Sequence, residues 1–493
     1  MAPITAPEQR SNRLPLIDAN PQDNQKNNQD EQLDEFFPEG ACFQTPSRVP
    51  FVSLPINDHL ETWPLYSEPV RNWLIREIYR LTHEPPANKD IKKLLDLQAA
   101  FATTEQEVHV RVGHHNLDAY IDLVNPRWEQ IQVTAQGWDI ISSQTSPVRF
   151  TRSSAMRPLP YPERGGSLEA LRDVLNLDAR DHEWLMIVSW LIGSMRPVGP
   201  YPILFIYGEQ GSAKSTTATI LRSVVDPSFN PIRTLPPSDR DLFISATTSW
   251  ILCYDNVSKI SAGRSDDLCR LATGGGLSRR KLYTDSDEVH FRANRPIIIT
   301  GITNVAEQHD LLDRAIVINL KPIPRENRRT EREIRQLWEH VKPRVLGALY
   351  DAISTAIANF DRVVLEEAPR MADFAHWVMA AEPALPWEPG SFLKEYARNR
   401  YLVEELALEA DPVCMAILEM MAERAECSGT ASELLARLDE RVPHETRRLA
   451  SWPKAPHILS GRINRGAAFL RARGIEVESS KSGKRLLTIT KRA

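Results

Sequence analysis

The chain has 493 residues, enough for two to four folded units at roughly 100 to 200 residues each. Its 42% hydrophobic and 25% charged residues and its net charge of −5 are those of a globular protein, and no apolar run approaches the ~20 residues that span a bilayer, which argues against a membrane role. Cys42, Cys253, Cys269, Cys414 and Cys427 are scattered without a C-x-x-C pair, which argues against a zinc ribbon or dithiol switch; no secretory signal opens the chain, so a cytoplasmic location is expected.

Residues 1–45, rich in Asn, Gln, Asp and Pro, hold too little apolar surface to offset ordering entropy and read as a disordered tail. A small α/β unit is expected over 46–165, with helices at 70–81 and 91–101. Its strands are expected at 109–112, 119–123, 130–134 and 148–151. His114 and His115 are strand neighbours facing opposite ways, an arrangement unsuited to joint metal ligation. The Pro-rich stretch 156–167 reads as a boundary. Over 166–325 a helix at 184–195 precedes alternating strands and helices, the mark of a mostly parallel α/β sheet. Near-continuous apolar strands at 203–207, 250–254, 297–301 and 316–320 suit sheet positions covered on both faces. A helical extension follows over 326–410, strongest at 331–360.

The segment LFIYGEQGSAKSTT sets a glycine-rich loop between a buried strand and a helix, the context a P-loop requires. Backbone N–H groups of Gly208, Glu209, Gln210, Gly211, Ser212 and Ala213 would turn toward phosphates, and the helix N-terminus would add its dipole. Lys214 would reach the β and γ phosphates, Ser215 would hold Mg²⁺, and Thr216 follows in the first turn. Ala213 stands where the G-x-x-x-x-G-K-[ST] pattern has its second glycine, a replacement that requires φ below zero and room beside the phosphate. Forty-one residues beyond Lys214, the strand SWILCYD ends in Asp255, a second Mg²⁺-holding acid of Walker B type. Asn256 next to it can orient water but cannot take its proton, so hydrolysis is slow or is assisted by Asp266 or Asp267. Asn304, after the strand at 297–301, is placed to contact the γ phosphate or lytic water. Arg314, before the strand at 316–320, fits an arginine finger.

The order GEQGSAKST, ILCYDN, RLATGGGLSRRKLYTD, IIITGITN and DLLDRA resembles the AAA+ ATPases of superfamily 3, the replicative helicases of viruses, phages and plasmids, and especially the ATPases encoded beside primases in bacterial mobile elements. The resemblance covers about residues 170–325. It implies ATP and Mg²⁺ as cofactors and a homo-oligomer, a hexameric ring, in which Arg314 serves the neighbouring subunit's triphosphate. It also implies single-stranded DNA gripped in the pore by a basic hairpin, here Arg279, Arg280 and Lys281 after Gly274, Gly275 and Gly276, and a primase as partner.

Residues 441–493 carry a net charge of +10, which invites a polyanion. Asp411-Pro412 and the capping box at 430–433 open two helices, a third runs from 460 to 473, and IEVESSKSGKRLLTIT reads as two strands around a turn. Leu459, Ile463, Ala467 and Leu470 make the third helix's apolar stripe while Arg462 and Arg465 point elsewhere, toward duplex DNA if 411–493 is a winged helix. The leading expectation is an ATP-driven replicative DNA helicase or translocase. An ATP-switched, slowly hydrolysing DNA-loading protein and a defence or signalling ATPase with a protein partner fit the same residues.

Overall fold

The computed structural model describes residues 37–38, 40–175, 177, 181–275, 277–280, 288–291, 293–301, 309–449, 451–480 and 486–492. Their contacts divide the chain into two compact units, one of residues up to 54 with 62–106, the other of 55–61 with 107–493. The division falls inside the stretch 46–165 that reads from the sequence as one unit.

Three strands, β1 (Cys42–Gln44), β2 (Pro50–Ile56) and β3 (His59–Pro64), form a sheet in that order, followed by helices α1 (Glu68–Thr82) and α2 (Asn88–Phe101). The helices extend the expected ones by a few residues. Val70, Trp73, Leu74 and Ile78, at helical spacing, supply the buried face of α1.

In the larger unit, β4 (Val108–His109) pairs with β9 (Arg149–Phe150), and β5 (Val112–His115), β6 (Asp118–Asp122), β7 (Gln130–Thr134) and β8 (Gly137–Ile141) form an antiparallel meander. The strand expected over 109–112 is broken at Arg111, whose φ of 63° kinks the backbone. The kink sends the guanidinium into a fully buried network. Arg111 Nε donates to Asp226 Oδ1 (3.2 Å), Nη1 to Asp122 O (2.9 Å) and Nη2 to Arg157 O (2.8 Å). Asp226 Oδ2 in turn accepts from the backbone N–H groups of Trp250 (2.9 Å) and Ile251 (3.1 Å).

Helices α3 (Glu169–Leu175) and α4 (Asp181–Ser194) lead into a parallel sheet built from β10 (Ile203–Tyr207), β11 (Leu252–Val257), β14 (Ile297–Gly301) and β15 (Ala315–Asn319). The strand order is β11-β14-β10-β15, so one strand separates β10 from β11. Helices α5 (Lys214–Val225), α6 (Asp239–Thr248) and α7 (Ala262–Thr273) connect the first two of these strands and follow the second. A two-stranded antiparallel hairpin, β12 (Leu277–Arg280) with β13 (Glu288–Phe291), stands between α7 and β14, and α8 (His309–Leu312) precedes β15.

The 29-residue α9 (Glu331–Asn359) starts on a full capping box, Thr330 with Glu333. It carries the meander: Trp138 Nε1 donates to Asp351 (2.9 Å) and Ser354 Oγ to Thr134 O (2.7 Å). The Pro-rich stretch 156–167 is a packed strap rather than a free linker. Glu163 N donates to Pro343 O (2.9 Å), and a Cβ on Gly166 or Gly347 would lie 1.8 Å from a backbone oxygen of the opposing segment.

Helix α10 (Ala372–Ala381) and α11 (Ser391–Ala410) divide the region 360–410. From α11 the fully buried Asn399 reaches the outer edge of β15, accepting from Val317 N (3.0 Å) and donating to Val317 O (2.7 Å). The C-terminal segment is α12 (Pro412–Ala422), β16 (Glu426–Thr430), α13 (Ala431–Arg441), α14 (His444–Arg448), α15 (Pro456–Ala472), β17 (Ile475–Ser480) and β18 (Leu486–Lys491). Its antiparallel sheet has the order β16-β18-β17, and α12 begins on the Asp411 carboxylate, which accepts from Val413 N and Cys414 N. Leu459, Ile463 and Leu470 are buried as expected, joined by Gly466 and Phe469, while Ala467 is only half-buried. This segment shares one apolar core with a face of the parallel sheet. The cysteines are unpaired, and burial pushes the Cys253 thiol up to about 12.

Candidate functional site

The four parallel strands end on one edge of the sheet, the place where open α/β sheets bind ligands. The glycine-rich loop leaves β10 at this edge, after Tyr207. It passes so close to the end of β15 that a Cβ on Gly208 would sit 2.1 Å from Leu320 O, and Gly208 holds φ at 153°. Only glycine fits there. Ser212 Oγ donates to Glu209 O (2.9 Å), and Lys214 Nζ lies over the loop, donating to Gly208 O (2.8 Å) and Glu209 O (2.7 Å). No side chain caps α5, which leaves its first N–H groups directed at the loop.

Ala213 corrects the expectation of a negative φ. It caps α5 in the left-handed conformation, φ 59° and ψ 30°, the geometry that glycine serves in the usual pattern. An alanine there carries strain of about 1 kcal/mol or more. Ala213→Gly is therefore expected to be neutral to stabilising by up to ~1 kcal/mol, and Ala213→Val, β-branched at positive φ, to destabilise by more than ~2 kcal/mol. Chemical denaturation checks both.

Asp255, on β11, faces the first turn of α5. Its Oδ1 accepts from Ser215 Oγ (2.8 Å) and from Thr300 Oγ1 (2.5 Å). Thr300, buried near the end of β14, also accepts from Asn256 N (2.9 Å). It is the residue the sequence reading missed: one hydroxyl on the intervening strand fixes the carboxylate and the backbone after it. Asn256 sits on a bulge in β11 with φ 53°, exposed, a left-handed position that asparagine tolerates better than glutamate does.

The other expected residues are distributed as follows. Asp267 is engaged with Arg264 (3.3 Å) and Arg270 (2.7 Å) on α7, while Asp266 is exposed. Arg314 lies at the opposite edge of the sheet, its Nη1 donating to Asp310 O (2.8 Å). Arg279 and Arg280 lie on strand β12. Lys281 and Asn304 lie outside the described residues. On α15, Arg465 is exposed, whereas Arg462 pairs with Asp411 at 3.6 Å.

Beside the loop, a cavity of about 280 Å³ is lined by Leu175, Gly211, Thr216, Ile220, Ile323 and Arg328. The geometry fits a phosphate-bearing ligand with a divalent cation: a cradle closed to any Cβ, a lysine over it, free helix N–H groups, and a hydroxyl paired with a carboxylate. Among the described residues no group of three or more His, Cys, Asp or Glu could hold a metal by itself. No helix among them is long and apolar enough to cross a membrane.

The matches among known proteins define the class first: a replication protein of mobile genetic elements. Residues 168–387 match the actinomycete integrative conjugative element replication protein family, and residues 413–493 match the C-terminal domain of that protein. None of the curated proteins matches it. Solved structures similar to it include the apo NrS-1 C-terminal region at 12% identity, covering 91% of this chain and 95% of that one with a TM-score of 0.39, and its A form at 10% identity, with the same coverage and a TM-score of 0.38.

Proposed function

We propose that the protein is an ATP-dependent replicative DNA helicase or translocase with an AAA+ core, acting as a ring-shaped oligomer. The observation that carries the reading is the convergence of the Gly208–Lys214 loop, Ser215 and Asp255 at one sheet edge, with the acid one strand removed from the loop strand. Lys214 and the N–H groups of the loop would bind the β and γ phosphates of ATP. Ser215 and Asp255 would hold Mg²⁺, whose charge offsets that of the phosphates. Thr300 orients Asp255 for that task. The strand order supports an AAA+ core. The order α12, β16, α13, α15, β17, β18 supports a winged helix at the C-terminus. The β12–β13 hairpin, carrying Arg279 and Arg280, supports a DNA grip.

A second reading, an ATP-switched DNA-loading protein, is favoured by Asn256, which supplies no carboxylate to take a proton from water. The test is the steady-state ATPase rate with and without single-stranded DNA, together with strand displacement. A helicase shows DNA-stimulated hydrolysis and unwinding; a loading protein binds DNA in an ATP-dependent way without unwinding it. Lys214→Ala is expected to abolish hydrolysis and tight ATP binding without loss of folding, because among the described residues its Nζ hydrogen-bonds only loop carbonyls and Ser212. Hydrolysis at the wild-type rate in that variant defeats the site assignment.

A further inference from the structure

A second and larger cavity, about 730 Å³, opens between the strap at 157–160, α5 and α9, within the size range of small-molecule sites. Its apolar walls are Leu159 and Pro160 from the strap, Ile220 from α5, Ile232, and Ile334 and Trp338 from α9. The indole is held by its Nε1, which donates to Ser223 Oγ at 2.8 Å.

Beside these walls α9 places Lys342, only 4% exposed, in a lining that also holds Arg157, Arg335, Glu331 and Glu339. Its Nζ makes no hydrogen bond or ion pair among the described residues and lies over the Trp338 ring, 5.8 Å from its centroid. Burial pushes the ammonium down to about 8, Glu339 opposing the fall and Arg111 adding to it. Ser228 Oγ, also lining the cavity, is buried without a partner. A buried hydroxyl with nothing to bond costs stability, and an oxyanion arriving between it and the largely buried ammonium would remove that cost.

We propose that this cavity, which adjoins the phosphate loop and shares Ser215 and Thr216 with it but not Lys214, is a binding site for a small amphipathic anion. Lys342 neutralises its single oxyanion group, and Trp338, Ile232 and Leu159 cover a flat apolar body. Because α5 lines both this cavity and the loop, an occupant would bear directly on the helix that presents Lys214 and Ser215.

The test uses the full chain at neutral pH with 8-anilinonaphthalene-1-sulfonate as the fluorescent probe. Displacement by 2-naphthoate, 2-naphthyl phosphate and neutral 2-naphthol then separates carboxylate from phosphate recognition and both from mere apolar binding. Saturable one-site binding is expected, with displacement by at least one anion well ahead of 2-naphthol. Lys342→Met should weaken anion binding at least ~10-fold. Thr219→Trp, which narrows the cavity without touching the cation, should do the same and serves if the first variant does not fold. Lys214→Ala should bind the probe like the wild type, so this result is independent of the nucleotide reading. Absence of saturable binding, equal displacement by 2-naphthol, or unchanged affinity in both cavity variants overturns the proposal.

Discussion

Arg314→Ala is expected to bind ATP at nearly wild-type affinity and to hydrolyse it about 10³ to 10⁵-fold more slowly, the range for loss of an arginine finger. The reason lies in its position along the sheet. Ile203 N donates to Arg314 O at 2.9 Å, so Arg314 is level with the start of β10, whereas the loop begins only after Tyr207 at the other end. At about 3.3 Å per residue the two are roughly 17 Å apart, beyond the reach of one side chain. Its guanidinium is held on α8 by Asp310 O (2.8 Å) and lies 4.0 Å from Cys269 Sγ. Within the proposed ring, Arg314 would serve the neighbouring subunit. Mixing Arg314→Ala with Lys214→Ala, each inactive alone, should restore part of the ATPase activity, because some junctions then pair an intact loop with an intact finger. No recovery despite demonstrated subunit exchange would count against action in trans.

Asp226→Ala should destabilise the fold by about 3 to 5 kcal/mol, as removal of one member of a buried ion pair does. Asp226 is 1% exposed and serves three elements at once: Arg111 from the meander, Arg222 on α5 at 3.7 Å, and the Trp250 and Ile251 N–H groups leading into β11. Without it, two buried guanidinium groups lose a neighbouring carboxylate and two buried N–H groups lose their acceptor. Burial already pushes the Arg111 ion down, and Asp226 is the first charge that restores it. Adding Arg111→Met should recover only part of the loss, since Trp250 and Ile251 remain unpaired. Urea unfolding of the two variants checks this; full recovery in the double variant would mean that the backbone contacts contribute little.

The readable parts of the molecule are those whose signals are local. The strands at 203–207 and 297–301 coincide with expectation because their apolar runs are short and bounded. The capping box at Thr430 marks a helix start in four residues. The loop from Gly208 to Ser215 was legible for the same reason. Thr300 was not: nothing in IIITG distinguishes a strand threonine from a functional one until the sheet sets β14 beside β11. Strand β16, ECSGT, is too polar and too short to show a period of two, and its partner β18 is nearly 60 residues away. Arg111 looked like a strand residue because its kink is dictated by an aspartate 115 positions further on. The left-handed Ala213 is likewise imposed by the loop around it, against the residue's own preference.

The side chain of Asn399 has a consequence for association. Strand β15 is the outermost strand of the parallel sheet, and such an edge offers free N–H and C=O groups to any passing strand. Asn399 occupies both groups of Val317 with its amide and is itself locked by His182 Nε2 (3.3 Å), while His182 Nδ1 is bonded to Glu395 (2.5 Å). A primary amide thus imitates one residue of a fifth strand and ends the sheet there. The sheet is closed to edge-to-edge polymerisation along that flank, so copies of this chain that meet must do so through side chains rather than by extending a common ladder.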